Sequence, residues 1–387
     1  MNPSSPPDSA DRPSLWTVLR EWGRLGCIGF GGPPTHIALL RQLCVDRRGW
    51  LDAREFEDAV AACNLLPGPA STQLPIFCAW RVRGRAGALL GGTAFILPGL
   101  VVILGLAALF LTGTPPAWVR GAGAGAGAAV AAVAVQAGVS LLPASWRRAA
   151  EVNRLRWAAY LVAGAAAAAL LGPWLVLVLL ACGAVEAAIQ GVPLRRGPRT
   201  AALPFLAGGG VLLPLAWVAF KVGALSYGGG FVIIPLMGAD AVHEHHWMDM
   251  AQFLNAVAFG QITPGPVVQT VAVVGYAAAG LGGGLIAALV AFAPSFLFIL
   301  FGAGHFARLR ANRRVRAFLD GAGPAAIGAI LGSAGPLALD LAQPWQYAVL
   351  AGAAVLLLVL RRGVVLTLLC AGAVGAAVAL AGGPVPH

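Results

Sequence analysis

Charge is what this sequence has least of. Of 387 residues only 11% are Asp, Glu, Lys or Arg, where a soluble globular domain has about 25%. Lysine is nearly missing, and Lys221 is the only one. A Walker A loop requires Gly-Lys-Ser/Thr, and Val222 follows Lys221, so an ATP-driven pump within this chain is excluded. The six cysteines (Cys27, Cys44, Cys63, Cys78, Cys182 and Cys370) show no Cys-x-x-Cys spacing and lie in or near apolar segments. They read as small core hydrophobes, not as disulfides or metal ligands. His243 to His246, "HEHH", reads as a loop at a membrane boundary, beside Trp247. No metal and no cofactor are expected. Residues 1–14 are polar and Pro-rich, with no apolar stretch behind a basic start, so no cleaved signal peptide is expected.

What fills the space is apolar. Hydrophobic residues make up 59% of the chain, and the mean hydropathy is +0.80. A spanning helix takes about 20 mostly apolar residues. The runs Ala86 to Leu111 and Gly283 to Ala303 both qualify. A transmembrane β-barrel would show alternating segments of about 10 residues. Long Ala, Leu, Val and Gly runs exclude it and imply an all-α polytopic membrane protein. The net charge of +11 does not point to nucleic acid, because most arginines cluster in short loops between apolar runs, as the positive-inside rule requires.

The chain also contains an internal repeat. At an offset of 197 residues, Gly26 falls on Gly223, Phe30-Gly31-Gly32 on Tyr227-Gly228-Gly229 and Trp50 on Trp247. Asp52 likewise falls on Asp249 and Pro67-Gly68-Pro69 on Pro264-Gly265-Pro266. Arg24 falls on Lys221. So many matches at one offset imply two homologous units. A polar tail (1–14) precedes a first repeat (15–190), a linker or connecting span (191–210) and a second repeat (211–387). Basic loops fall at Arg81–Arg85, Arg147–Arg156 and Arg195–Arg199 in the first half, but the counterpart of the Arg81 loop, Ala278 to Gly284, is uncharged, and in the second half Arg308–Arg316 and Arg361–Arg362 mark the alternate loops. If basic loops face the cytoplasm, the repeats insert in opposite senses, an arrangement of secondary transporters. Six apolar segments per half would leave the halves parallel, so Ala201 to Trp217 is expected to supply one connecting span, for thirteen in all. Re-entrant hairpins at the glycine motifs would lower that number without altering the inversion.

Each repeat is broken twice, at the Gly-Gly motif and about 35 residues later at Pro-Gly-Pro. Unpaired backbone at membrane depth is tolerated only inside protein or along a polar cavity. A half-helix N-terminus there attracts anions. The candidate binding residues are Gly31, Gly32, Thr35, His36, Asn64, Gly68, Ser71 and Gln73 in the first repeat, with Tyr227, Gly228, Gly229, Gln261 and Gly265 in the second. Arg24 and Lys221 are expected to draw the anion in. Neutral donors without paired carboxylates suit a tetrahedral oxyanion. Asp240, Asp320 and Asp340, in or near apolar segments, could each carry protons, and the sequence does not choose among them.

In this order the motifs become specific. Phe-Gly-Gly-Pro with His36, Trp50, Phe56 and Pro67-Gly68-Pro69 with Gln73 resemble the first half of the chromate ion transporter family. Ser226 to Gly230, Pro235, Trp247, Gln261 and Pro264-Gly265-Pro266 resemble its second half, and the likeness covers nearly the whole chain. The resemblance implies no enzyme but a secondary exporter of chromate in the bacterial inner membrane, conferring chromate resistance. Sulfate is the look-alike anion, the lipid bilayer the surrounding partner, and a homodimer is allowed for. A second copy with Ile233 in place of the histidine, and Gly230 in place of the first proline, implies that the halves are not chemically equivalent. The competing class is a membrane-embedded enzyme such as a reductase, which would require a cofactor site or ordered redox cysteines.

Overall fold

The structure, a computed structural model, describes residues 13–64, 68–111, 115–149, 153–171, 174–191, 210–226, 233–305 and 312–386. All regular structure among the described residues is helical.

The chain opens with half-helices. α1 (Leu15–Ile28) starts at Ser14, whose hydroxyl accepts from the Thr17 amide at 3.1 Å. It ends at Gly29. Gly31 and Gly32, at φ 99° and 74°, then lead into α2 (Pro33–Arg41), which continues as a π-helical turn, Gln42–Arg47. α3 (Ala53–Cys63) is capped by Asp52, which accepts from the Glu55 amide at 2.7 Å. At 1.5 Å per residue these helices are ~14–21 Å long, short of the ~30 Å hydrocarbon core.

α4 (Ala70–Leu111) is 42 residues long but is not one rod, because Arg83 and Gly84 leave helical geometry, with Gly84 at φ 63°. The Ala79 carbonyl oxygen lies 2.3 Å from where a Cβ on Gly87 would sit, and the Ala79 methyl 2.6 Å from one on Gly91. In a straight helix those residues would be ~12–18 Å apart, so the chain doubles back. Arg81, at the foot of the first arm (70–82), bonds Glu55 at the foot of α3. α3 and that arm therefore form a hairpin closed at its foot by Glu55 and Arg81. The second arm (85–111) crosses the molecule. α5 (Ala117–Ala128) and α6 (Val130–Ala149) return, and α7 (Arg154–Leu170) and α8 (Leu175–Ile189) follow.

The same order then recurs. α9 (Leu212–Leu225) corresponds to α1, and α10 (Ile233–Gly238) with its π turn Ala239–Glu244 to α2. α11 (Met250–Ile262), capped by Asp249, corresponds to α3. α12 (Thr270–Gly302) turns back at Ala279–Gly280, as α4 does at Arg83–Gly84. α13 (Arg313–Leu339), α14 (Pro344–Ala354, extended by Val355–Val359) and α15 (Val364–Leu380) complete it.

Four described stretches are long and apolar enough to cross a membrane: Ala70–Leu111, Ala117–Arg147, Val267–Gly302 and Arg313–Leu339. The six spans expected per half thus resolve into half-helices and a smaller number of crossings. Leu212 to Trp217 belong to α9, the counterpart of α1, while residues 192–209 lie outside the described residues.

Contacts define two ends. At one, Arg48 bonds Glu21, Arg81 bonds Glu55, Arg156 bonds Glu186, and Arg313 donates to the Gln190 carbonyl at 3.4 Å. At the other, a cavity of about 330 Å³ is lined by Phe110, Arg120, Asn255, Asp340 and Gln346. The second arms of α4 and α12 are antiparallel, Gly92 meeting Phe296 and Leu104 meeting Gly284. The stretch formed by α5 and α6 is antiparallel to α13 too, with Ser145 of α6 beside Asp320 at one end and Arg120 of α5 beside Asp340 at the other.

Candidate binding site at the helix breaks

The breaks meet one another across the two halves. The Gly265 amide, in the second Pro-Gly-Pro loop, donates to the Gly29 carbonyl at the end of α1, at 2.9 Å. The Gln269 side chain donates to the Ile96 carbonyl at 2.8 Å. Gly99 admits the same loop, and the Pro264 carbonyl oxygen lies 1.9 Å from where a Cβ on Gly99 would sit. The first Pro-Gly-Pro loop makes the reciprocal crossing. The position of a Cβ on Gly68 lies 3.1 Å from the Gly223 carbonyl of α9 and 3.6 Å from the Ser295 hydroxyl of α12. Gly68 and Gly265 both sit at positive φ (106° and 92°), in the region that glycine alone enters without strain.

Around these loops polar groups are buried without partners. His36 is 1% exposed, and one ring nitrogen, Nε2, lies 2.9 Å from the Gly29 carbonyl oxygen. The other, Nδ1, has no hydrogen-bond partner among the described residues. The ring stands edge-on to Phe95 at 5.1 Å between centroids. Ser71 Oγ and Thr72 Oγ1, in the first turn of α4, are unpartnered in the same sense, as are Gln261 Nε2, Gln269 Oε1 and Ser295 Oγ. Buried polar atoms are ordinarily satisfied, and each exception calls for a ligand, a water or a strain. Several at crossed helix breaks make these loops the candidate site. No carboxylate is among these atoms, and all but Gln269 Oε1 and the His36 ring nitrogen belong to groups that can donate to an anion.

Of the expected residues, Gly32, His36, Gly68, Ser71, Gln73, Gln261 and Gly265 are buried at or next to the breaks. Gly31, Asn64 and Arg24 are exposed, and Thr35 is half-buried. The α2 terminus is a poorer donor than a helix start usually is, because Pro33 and Pro34 occupy its first positions and bring no N–H. Tyr227, Gly228 and Gly229 lie outside the described residues. Lys221 is not a free cation, since its ammonium holds the Asp240 carboxylate at 2.7 Å. Phe95, Ile96, Gly99 and Ser295 line the site although sequence reasoning passed over them. One signal was present: with the offset shortened to 196, Pro98-Gly99 falls on Pro294-Ser295.

The family model described as chromate transporter matches residues 16–187 and 213–376. A chromate transport protein of Cupriavidus metallidurans is 32% identical over 353 residues, covering 86% of this chain and 87% of the relative. One of Pseudomonas aeruginosa is 28% identical, covering 83% and 79%. An uncharacterised transporter of Methanocaldococcus jannaschii is 26% identical, covering 79% and 80%. No solved structure matches the chain.

Proposed function

The chain belongs to the chromate transporter family, and we propose that it is a secondary exporter, moving chromate from the cytoplasm across the bacterial inner membrane and thereby conferring resistance. The observation that carries this reading is the set of unpartnered neutral donors, Ser71, Thr72, Gln261 and Ser295, buried at two crossed helix breaks. Together they fit a tetrahedral oxyanion, which needs several donors and no acid. Sulfate has the same shape and charge and should compete.

The halves act as inverted-topology repeats, residues 15–190 and 211–387. Support comes from elements in the same order running in opposite senses, as when α3 begins at the arginine-rich end and α11 at the cavity end. Such an architecture suits alternating access about a central site. An inside-negative potential already favours export of a dianion, by about 2.3 kcal/mol per charge per 100 mV, so no nucleotide is required. The test is uptake of labelled chromate into inverted vesicles energised by an imposed potential. Accumulation that sulfate inhibits and that collapses with the potential is expected. Chemical reduction of chromate without accumulation would favour an enzyme instead.

A further inference from the structure

Three acids lie in or near apolar segments: Asp240, Asp320 and Asp340. Asp340 is exposed at the cavity rim. Asp320 accepts from Gln190 at 3.4 Å, at the arginine-rich end. Asp240 differs from both. It is 1% exposed, and its partner at 2.7 Å is Lys221, which is 9% exposed. The pair ties α9 to the π turn after α10. Isolated π turns recur at functional positions in helices. α9 is also the helix on which the first Pro-Gly-Pro loop packs, at Gly223, half a turn beyond Lys221.

The pair is not part of the repeated scaffold. At the offset of 197, Lys221 corresponds to Arg24 and Asp240 to Leu43. Arg24 is exposed and Leu43 is buried. A fold that forms α1 and α2 without this pair does not require it for shape. The charged groups facing Asp240 are Lys221 from α9 and Glu244 from its own turn. α11, which packs against that turn, has no ionisable residue from Ala251 to Ile262.

Resting on the transport reading above, we propose that Asp240 is a tethered stand-in for the substrate anion. In the empty carrier its carboxylate occupies Lys221, so that the lysine can change access without an uncompensated buried charge, which the membrane interior penalises heavily. An arriving oxyanion takes over the Lys221 ammonium. The released Asp240 carboxylate binds one proton from water, and that proton is lost when the anion leaves and the pair re-forms. Anion and proton binding therefore help each other, and a dianion moves with a net charge of minus one rather than minus two.

The experiment uses the purified full chain in lipid nanodiscs, in weakly buffered medium with a pH indicator. Chromate and sulfate are added separately. Wild type should take up about one proton per bound anion, the stoichiometry of a single displaced carboxylate. Asp240→Asn should take up none and bind either anion about tenfold more tightly, since 1.4 kcal/mol of lost competition is a factor of ten. Lys221→Gln should bind weakly and take up none. The double variant Lys221→Gln/Asp240→Asn covers the case in which a single change unpairs a buried charge and prevents folding. It should fold, yet bind weakly and without proton uptake. Wild-type proton uptake or wild-type affinity in Asp240→Asn or in the double variant would make the pair structural and overturn the inference while leaving the transport reading intact. Failure of the wild type to bind either anion would overturn both.

Discussion

At the residue scale, the site depends on backbones brought closer than any side chain allows. Gly99 and Gly105 lie on the same arm of α4, six positions apart. A Cβ on Gly99 would lie 1.9 Å from the Pro264 carbonyl oxygen, whereas one on Gly105 meets nothing within 4 Å. Gly99→Ala should therefore drive the second Pro-Gly-Pro loop out of place, abolishing chromate flux and destabilising the fold by about 1–3 kcal/mol, as overpacking does. Gly105→Ala should keep full flux and gain up to about 1 kcal/mol from helix propensity. Thermal unfolding in detergent and vesicle uptake on both variants check the contrast. The unpartnered hydroxyls allow a second test. Ser71→Ala with Thr72→Val removes no hydrogen bond that the described protein makes through those hydroxyls. Stability should hold or rise. Flux at low chromate should fall at least about tenfold, because a hydrogen bond to a charged ligand contributes about 1.5–3 kcal/mol. Unchanged flux would mean that these hydroxyls do not face the anion.

At the element scale, the hairpin of α3 and the first arm of α4 is closed at its foot by Glu55 and Arg81, whose side chains are 25% and 14% exposed. A double-mutant cycle on Glu55→Gln and Arg81→Gln should give a coupling of about 1 kcal/mol, at the upper end for exposed pairs, and smaller at high salt. A coupling near zero would mean that the foot is held by packing alone. The breaks that make this hairpin were legible in the sequence, because Gly-Gly and Pro-Gly-Pro are poor helix residues wherever they occur. What happens after each break was not. Hydropathy records that residues 70–82 and 85–111 are apolar but not that the chain reverses at Arg83–Gly84, where a single φ of 63° decides the direction. So half-helices were expected to be spans. The pairing of Lys221 with Asp240 escaped for a related reason. Its partners are 19 positions apart, on α9 and the π turn after α10, and no periodicity links them until the chain is folded. Gly99 escaped because its contacts, Pro264 and Gln269, lie in the other half of the chain, and Phe95 because it meets His36 only once the chain is folded.

At the scale of the whole molecule, the arginines and the helix directions constrain each other. Arg48, Arg81, Arg156 and Arg313 gather at one end through bonds from both halves. Arg120 lines the cavity at the other end. The positive-inside rule leads us to propose that the arginine-rich end faces the cytoplasm and that the repeats are inverted. Equivalent positions of the two halves must then fall on opposite sides of the membrane. Ala53 and Met250 both open the helix after an aspartate cap, and Ala117 and Arg313 both open a crossing. Single cysteines at these four positions, in a chain whose native cysteines are replaced, can be labelled by a membrane-impermeant maleimide. In right-side-out vesicles Met250→Cys and Ala117→Cys should react. In inverted vesicles Ala53→Cys and Arg313→Cys should react. The pairing matters more than any one position, because a parallel duplication would put Ala53 and Met250 on the same side, and Ala117 and Arg313 together on one side as well. Either result would leave the central loops crossed as they are but would remove the symmetry on which the proposed alternating access depends.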